Sequence, residues 1–320
     1  MPKMELKPNT HQKTSEVCIF LALYQGAPYL QAQLDSFAAQ THKSWSLIVS
    51  DDGSTDDGLD ILRRFQAQHP HRQVHCRAGP QQGFVRNFLS LIQAAPDDLA
   101  FAALSDQDDI WFPNKLERAV RLLSDFPETQ PVLYCASTVI CNQQLSPIGR
   151  SPDFPRAPGF NNALVQSIGG GNTMVLNRAA LDLARTAVEE ATDPVAHDWW
   201  LYQLITGCGG HVIHDPAPVL SYRQHSGNLI GANLSLRAKL MRFMALLGGR
   251  FQRWNEIGLT ALQGSMHRFT PQAQTTLTHY KAARTGPVWH RLRSLKASQV
   301  YRQSVLGTIA LYLACLFNRI

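Results

Sequence analysis

Apolar residues recur in two alternating rhythms along the first hundred positions. Val17 to Ala22 (VCIFLA) and Leu47 to Ser50 (LIVS) are short apolar runs that stop at polar loops, whereas Ala27 to Gln40 and Gly58 to Gln68 carry apolar residues at helical spacing. The first rhythm predicts buried strands and the second amphipathic helices, so the chain opens as β-α-β. It continues with a strand near Val74 to Arg77, a helix over Phe84 to Ala94 and a strand over Leu99 to Leu104. The alternation predicts an α/β domain: a largely parallel sheet with helices on both faces and ligands outside the carboxyl ends of the strands.

Two acidic clusters fall on that one edge. LIVS runs into SDDGSTDD, which sets Asp51 and Asp52 directly after one strand, and LAFAAL runs into SDQDD, which sets Asp106, Asp108 and Asp109 directly after another. Two carboxylates ~4 Å apart repel by roughly 4 kcal/mol near a protein surface, so such a segment is either a cation site or a loop whose charges point apart into water. A plain strand-turn-helix junction accounts for the first cluster: Gly53 suits a tight turn, and Ser54, Thr55 and Asp56 offer N-cap side chains. That junction does not explain a second cluster at the matching place.

Composition leaves room for a real site. With 320 residues, 44% apolar and 17% charged, the chain can bury one large core or two smaller ones. Its six cysteines show no C-x-x-C spacing, which argues against zinc fingers and a disulfide scaffold and for a reducing cytoplasm. The polar opening MPKMELKPNTHQKTSE has no apolar stretch of signal-peptide length, so residues 1–15 are expected to be a flexible N-terminus and the active part to stay in the cytosol. The net charge of +6 is uneven: residues 237–320 carry 13 Lys or Arg against one acid, Glu256, and the preceding residues 17 against 23. A basic tail suits nucleic acid or an anionic membrane surface. No helix-turn-helix, zinc-knuckle or RNP-like pattern supports nucleic acid, which ranks the membrane first.

The opening LALYQGAPYLQAQLDSFAAQTHKSWSLIVSDDGSTDDGLDIL and the later SDQDDIWFPNKLE resemble glycosyltransferase family 2, the inverting nucleotide-sugar transferases of GT-A fold, over about Glu16 to Gly231. The resemblance implies a mixed, mostly parallel sheet flanked by helices, a nucleotide-binding half over about 16–112 and an acceptor half over about 113–231. It assigns the nucleoside to Ala22, Tyr24, Asp51 and Asp52, with Asp52 favoured for the base contact. It makes Asp106-Gln107-Asp108 the D-x-D motif that binds a divalent cation and the sugar diphosphate, with Asp109 as neighbour. Three aspartates without His or Cys favour Mg²⁺ or Mn²⁺ over zinc.

An inverting transfer also needs a general base for the acceptor hydroxyl. The family places an acid at a helix start after the metal motif, and Asp198 in AHDWWLYQL occupies that place; His197 stands where many relatives have an acid. A helix N-terminal acid stabilised by the macrodipole is the structural alternative for Asp198. Trp199 and Trp200 fit core packing or a sugar-stacking wall. In GGGNTMVLNR, the residues Gly170, Gly171 and Asn172 correspond to a segment that borders donor sugar and acceptor in the family, and a tight turn explains them equally well. Arg86 in QQGFVRNF suits the donor phosphates or an exposed helix face about evenly.

The block SYRQHSGNLIG, together with SDQDDIW and HDWW, is similar to the rhamnosyltransferase branch, which implies dTDP-rhamnose as donor, with a UDP- or GDP-sugar as the alternative since many branch relatives use other sugars, and a growing surface polysaccharide or lipid-linked oligosaccharide as acceptor. Within it Arg223 can neutralise phosphate and His225 can serve the metal or the diphosphate, against the ordinary role of a hydrogen-bonded loop histidine. Residues 232–320 lie outside the resemblance and read as a basic helical extension. There LRAKLMRFMALL (Leu236 to Leu247) mixes bases with apolar residues, and VLGTIALYLACLF (Val305 to Phe317) is too short to span a bilayer. The expectation is peripheral contact with the inner face of the cell membrane, against a plain helical cap. Two other classes fit less well. A nucleotide-sugar pyrophosphorylase needs a Gly-rich basic loop after the first strand, where LALYQGAPYL has neither Lys nor Arg, and a non-catalytic binding protein would be expected to have lost a metal or base carboxylate.

Overall fold

The computed structural model describes residues 16–225 and 249–320. The N-terminal stretch, the end of the SYRQHSGNLIG block and the basic segment Leu236 to Leu247 lie outside the described residues. The first half is the expected alternation: β1 (Val17–Leu23), α1 (Ala27–Ala38), β2 (Trp45–Asp51), α2 (Gly58–Gln68), β3 (Val74–Ala78), α3 (Phe84–Gln93) and β4 (Phe101–Ser105). Helix α1 stops short of Gln40, whose buried amide donates to the carbonyls of Ser36 and Phe112 (3.1 and 2.9 Å) and so fastens the chain to the segment just past SDQDDIW. The second half continues with β5 (Ile110–Trp111), α4 (Lys115–Leu123), β6 (Val132–Cys141), β7 (Pro147–Arg150), the four-residue α5 (Phe160–Ala163), a 3-10 turn (Gly171–Thr173), β8 (Val175–Asn177), α6 (Arg178–Val188), α7 (His197–Gly207) and β9 (His211–Arg223).

One sheet runs in the order β3-β2-β1-β4-β8-β6-β9-β5, with β7 on β6. The pairs β3/β2, β2/β1, β1/β4 and β6/β9 are parallel, and β8 enters antiparallel to both β4 and β6. Strand side chains alternate faces, and β1 shows the result: Val17, Ile19, Leu21 and Leu23 join one buried cluster with α1, α2 and α4, while Cys18 and Phe20 join the other with α3, α6 and α7. Burial on both faces is why this strand reads as an unbroken apolar run.

The second cluster also holds the C-terminal helices α8 (Arg250–Gln263), α9 (Pro271–Ala282), α10 (Val288–Ser298) and α11 (Val305–Leu316), through Leu262, Leu277, Tyr280, Leu295 and Leu311. Polar clasps reinforce the join. The Asn161 and Asn162 amides donate to the carbonyls of Ser298 and Tyr301 (2.8 and 2.9 Å), and the Gln303 N–H donates to Gln166 Oε1 at 2.9 Å. The apolar run expected at Val305 to Phe317 is therefore a helix with one side in the core, Leu311, Ala314 and Cys315 being fully buried. Among the described residues no helix is long and apolar enough to cross a membrane.

Candidate active site

Strand register builds the site. Leu23 pairs with Asp51 across β1/β2 and Leu21 with Ser105 across β1/β4, so the residues that follow, Tyr24, Asp52 and Asp106, leave three adjacent strands on one carboxyl rim. Loops at such a rim are where an α/β sheet binds ligands.

The first acidic turn is occupied by backbone. Asp52 is buried and its carboxylate accepts from the N–H groups of Gln81 and Gly83 (2.7 and 2.8 Å), which ties the turn to the N-terminus of α3. Asp51 accepts from Ser54 N–H at 3.2 Å, and Asp56 accepts from the N–H groups of Ala27 and Gly58 (2.8 and 3.1 Å), serving the first turns of both α1 and α2. A Cβ at Gly79 would come within 2.9 Å of Asp52 Oδ1, so the chain passes this turn at backbone distance. Ala22 lies half-buried near the end of β1, and Tyr24, just past that end, is exposed.

The second cluster is crowded instead. Burial, then repulsion from Asp108, Asp109 and Asp198, pushes the Asp106 carboxyl well above the usual carboxylate range, with Lys115 acting in the opposite sense. Asp109 is fully buried and turns inward: it accepts from the Asn172 amide at 2.6 Å and from Arg223 N–H at 3.2 Å. Burial and Asp108 still raise its carboxyl to about 7. Beneath it Lys115, with no exposed surface, donates to Asn172 O at 2.5 Å and lies 3.1 Å over the Trp111 ring. Burial holds this ammonium well below its ordinary value.

Asp108 is met from the far strand. His225 Nε2 lies 2.7 Å from Asp108 Oδ2 and its ring stacks on Tyr29, while the Arg223 guanidinium donates to the carbonyls of Asp108 and Gln143, both at 2.9 Å. Arg223 and His225, singled out for phosphate and metal, thus come together with the D-x-D loop. Among the described residues no three His, Cys, Asp or Glu side chains form a complete metal cage. The crowded pair Asp106 and Asp108 nonetheless fits a hard cation of the Mg²⁺ kind, which takes one or two carboxylates and draws its other ligands from water and substrate phosphates.

Asp198 opens α7 and reaches the same place. It is among the charges that raise Asp106, and hydrogen bonds from the N–H groups of Trp199 and Gly171 touch its carboxyl. Burial outweighs those bonds and lifts it from 3.8 to about 6. His197 points the other way: buried, stacked on Phe88 with centroids 4.0 Å apart, and without a hydrogen-bond partner for either ring nitrogen, it is held neutral by burial at about 3. Its Nε2 would lie 2.2 Å from a Cβ at Gly171, so only glycine fits there. Trp200 is core, and Trp199 donates its ring N–H to Ala163 O. Arg86 does not converge: it pairs with Asp193.

The profile described as "Glycosyl transferase family 2" matches residues 18–181, about half of the chain. The chain belongs to glycosyl transferase family 2. Its relatives include the "dTDP-rhamnosyl transferase RfbG" of Shigella flexneri, 28% identical over 69% of this chain and 77% of that one. An "Uncharacterized glycosyltransferase RT0329" of Rickettsia typhi is 23% identical over 82% and 80% of the two chains. Among solved structures, S. aureus TarS 1-349 in complex with UDP-GlcNAc superposes with a TM-score of 0.56 at 12% identity, over 95% of this chain and 89% of that one. The fold is GT-A, and the chain is a nucleotide-sugar glycosyltransferase.

In this glycosyltransferase the middle residue of D-x-D, Gln107, has a structural role that its type alone does not signal. The Gln107 amide accepts from Tyr24 N–H at 2.7 Å and donates to Tyr24 O at 2.8 Å, pairing with both backbone groups of the loop after β1. A Cβ at Gly26 would meet Gln107 Oε1 at 2.5 Å, which explains the glycine in YQGAP. Lys115 was legible only as part of a helix start, because burial of a lysine against Trp111 and a carbonyl depends on tertiary neighbours.

Proposed function

We propose that the enzyme transfers L-rhamnose from dTDP-rhamnose, with inversion, to a glycan or lipid-linked oligosaccharide acceptor of a bacterial surface polysaccharide. The observation that carries the reading is the convergence of Asp198 with the crowded carboxylates after β4, a proton acceptor beside a site that calls for a cation. The relative named as a dTDP-rhamnosyl transferase, similar over most of both chains, supports the sugar.

Tyr24, Ala22, Asp51 and Asp52 then frame the nucleoside, with the Asp51-Asp52 turn held rigid by its own backbone bonds. Asp106 and Asp108 would hold Mg²⁺ or Mn²⁺, with His225 and Arg223 fixing Asp108 from behind. When bound, such an ion supplies Lewis-acid stabilisation to the charge that grows on the departing diphosphate. The Asp198 carboxylate takes the acceptor hydroxyl proton. The freed oxygen bonds to the anomeric carbon as the bond from that carbon to phosphate oxygen breaks, and the electron pair leaves with the nucleoside diphosphate. The Gly171 backbone borders the donor sugar. Arg86 would reach the phosphates only by leaving Asp193.

The basic C-terminal part supports work at the inner face of the cell membrane, where lipid-linked acceptors are presented. Calorimetric titration of dTDP-rhamnose, UDP-glucose and GDP-mannose, with Mn²⁺ and with chelator, tests the reading. Cation-dependent binding of dTDP-rhamnose alone is the expected result. Preference for a UDP- or GDP-sugar would replace the donor, and binding without transfer to any acceptor would leave a nucleotide-sugar-binding protein of the same fold.

A further inference from the structure

Large apolar side chains are exposed unevenly. Of the twelve exposed large hydrophobic residues among the described ones, eight lie in or beside the last two helices: Val288, Trp289, Val305, Leu306, Ile309, Leu313, Leu316 and Phe317. Leu306 is 78% exposed, and Trp289 and Phe317 are each 68% exposed. On α11, Leu306, Ile309, Leu313 and Leu316 recur at three- and four-residue spacing, which makes one continuous stripe opposite the buried Leu311, Ala314 and Cys315. A groove of about 560 Å³ runs beside it, lined by Arg156, Leu292, Tyr312 and, from the stripe, Ile309, Leu313 and Leu316.

A contiguous exposed apolar patch of this kind marks an interaction site. What covers it follows from its charge. Residues 249–320 carry ten Lys or Arg against Glu256 alone, and Arg293, Lys296 and Arg319, all exposed, belong to α10 or follow α11. An apolar stripe with an exposed tryptophan and a basic fringe has the composition of a surface that lies in the headgroup region of an anionic bilayer. A twelve-residue helix rises about 18 Å, well short of a hydrocarbon core of about 30 Å, so it would lie in the interface and not cross it.

We propose that the outer face of α10 and α11 docks this glycosyltransferase onto an anionic lipid bilayer, with Leu306, Ile309, Phe317 and Trp289 entering the headgroup layer and Arg293, Lys296 and Arg319 meeting lipid phosphates. The proposal extends the reading above by naming the surface through which a lipid-linked acceptor is met, and it rests on that reading for the acceptor alone.

Flotation of the full chain with vesicles of phosphatidylcholine, and of phosphatidylcholine mixed with phosphatidylglycerol, tests it without donor or acceptor. Binding to the mixed vesicles is expected, weakened at least about tenfold in the double variant Leu306→Ser/Phe317→Ser. Arg293→Glu/Lys296→Glu should lose the preference for phosphatidylglycerol. All four positions are exposed, so an unchanged thermal midpoint shows that the variants fold. Undiminished vesicle binding by Leu306→Ser/Phe317→Ser, or no binding by the wild type, overturns the assignment. So does a wild-type dimer in light scattering that becomes a monomer in that variant, since the face would then belong to a second copy. Donor calorimetry keeps the two ideas separate: vesicle binding without binding of dTDP-rhamnose sinks the rhamnosyl-donor reading alone, and the reverse sinks the docking face alone.

Discussion

The two acidic clusters look alike in sequence and differ in what satisfies them. In SDDGSTDD every oxygen-rich side chain described above has a backbone N–H to hold: Asp52 takes Gln81 and Gly83, Asp51 takes Ser54, and Asp56 takes Ala27 and Gly58. In SDQDD a backbone N–H, that of Arg223, reaches Asp109 beside the Asn172 side-chain amide, Asp108 meets the His225 ring, and Asp106 is left among like charges. A carboxylate satisfied by amides needs no cation, whereas one raised by its neighbours stores a repulsion that a cation would release. The first turn is architecture held by its own backbone bonds, and the second is a concentration of charge.

The comparison can be broken at several points. The largest effect belongs to the residue proposed as base, Asp198, beside the second cluster: Asp198→Asn should lower kcat by about 10²- to 10⁴-fold with donor affinity nearly intact, and an equal loss of donor binding would remove its role. Because the folded carboxyl titrates at about 6, wild-type kcat should fall as pH drops through about 6, and the residual rate of the variant should lack that limb. The stability sign is opposite. A raised carboxyl makes the native state bind more protons than the unfolded one between its ordinary value and about 6, so wild-type stability falls as pH rises through that window. Asp198→Asn should therefore be more stable than wild type at neutral pH, measured by urea unfolding.

Next in size is the response to cation. Mn²⁺ at a hundredfold its Kd should stabilise the wild type by about 2.7 kcal/mol, seen as a thermal shift, and this should vanish in Asp106→Asn and Asp108→Asn but persist in Asp51→Asn. The reverse pattern would exchange the two clusters. Asp52→Ala should instead cost about 1–3 kcal/mol of stability without any cation present, because two N–H groups lose their acceptor; an unchanged urea midpoint would refute the capping role. The smallest effect is expected at the bridge between the clusters. Gln107→Leu gives up both bonds to Tyr24 and should raise donor KM about fivefold, about 1 kcal/mol, with kcat nearly constant.

What was legible in the sequence follows from the same physics. β1, β2 and β4 announced themselves because burial on both faces demands unbroken apolar runs, and register alone then carried both acidic clusters to one rim. Residue type disclosed the acids but not their employment, since capping and crowding depend on which N–H groups and charges arrive from other strands. Gln107 was hidden for that reason: an amide between two aspartates has no chemistry of its own until the loop after β1 passes within reach. The apolar run at Val305 to Phe317 was visible, but apolar residues lie on nearly every side of it, so periodicity could not tell the core face from the exposed one.

The contact between Gly171 and His197 constrains how this site can change. A methyl group at 171 would overlap the imidazole that lies against Phe88, so any side chain there must wait until position 197 has become smaller. Shrinking 197 first opens a void against Phe88, a loss in stability with no immediate gain. The two positions can be exchanged only in one order, through a weakened intermediate. A lineage or a directed library that alters the floor beside Asp198 would thus be expected to carry both changes or neither, with Gly171→Ala crippling alone and tolerated only on a His197→Ala background.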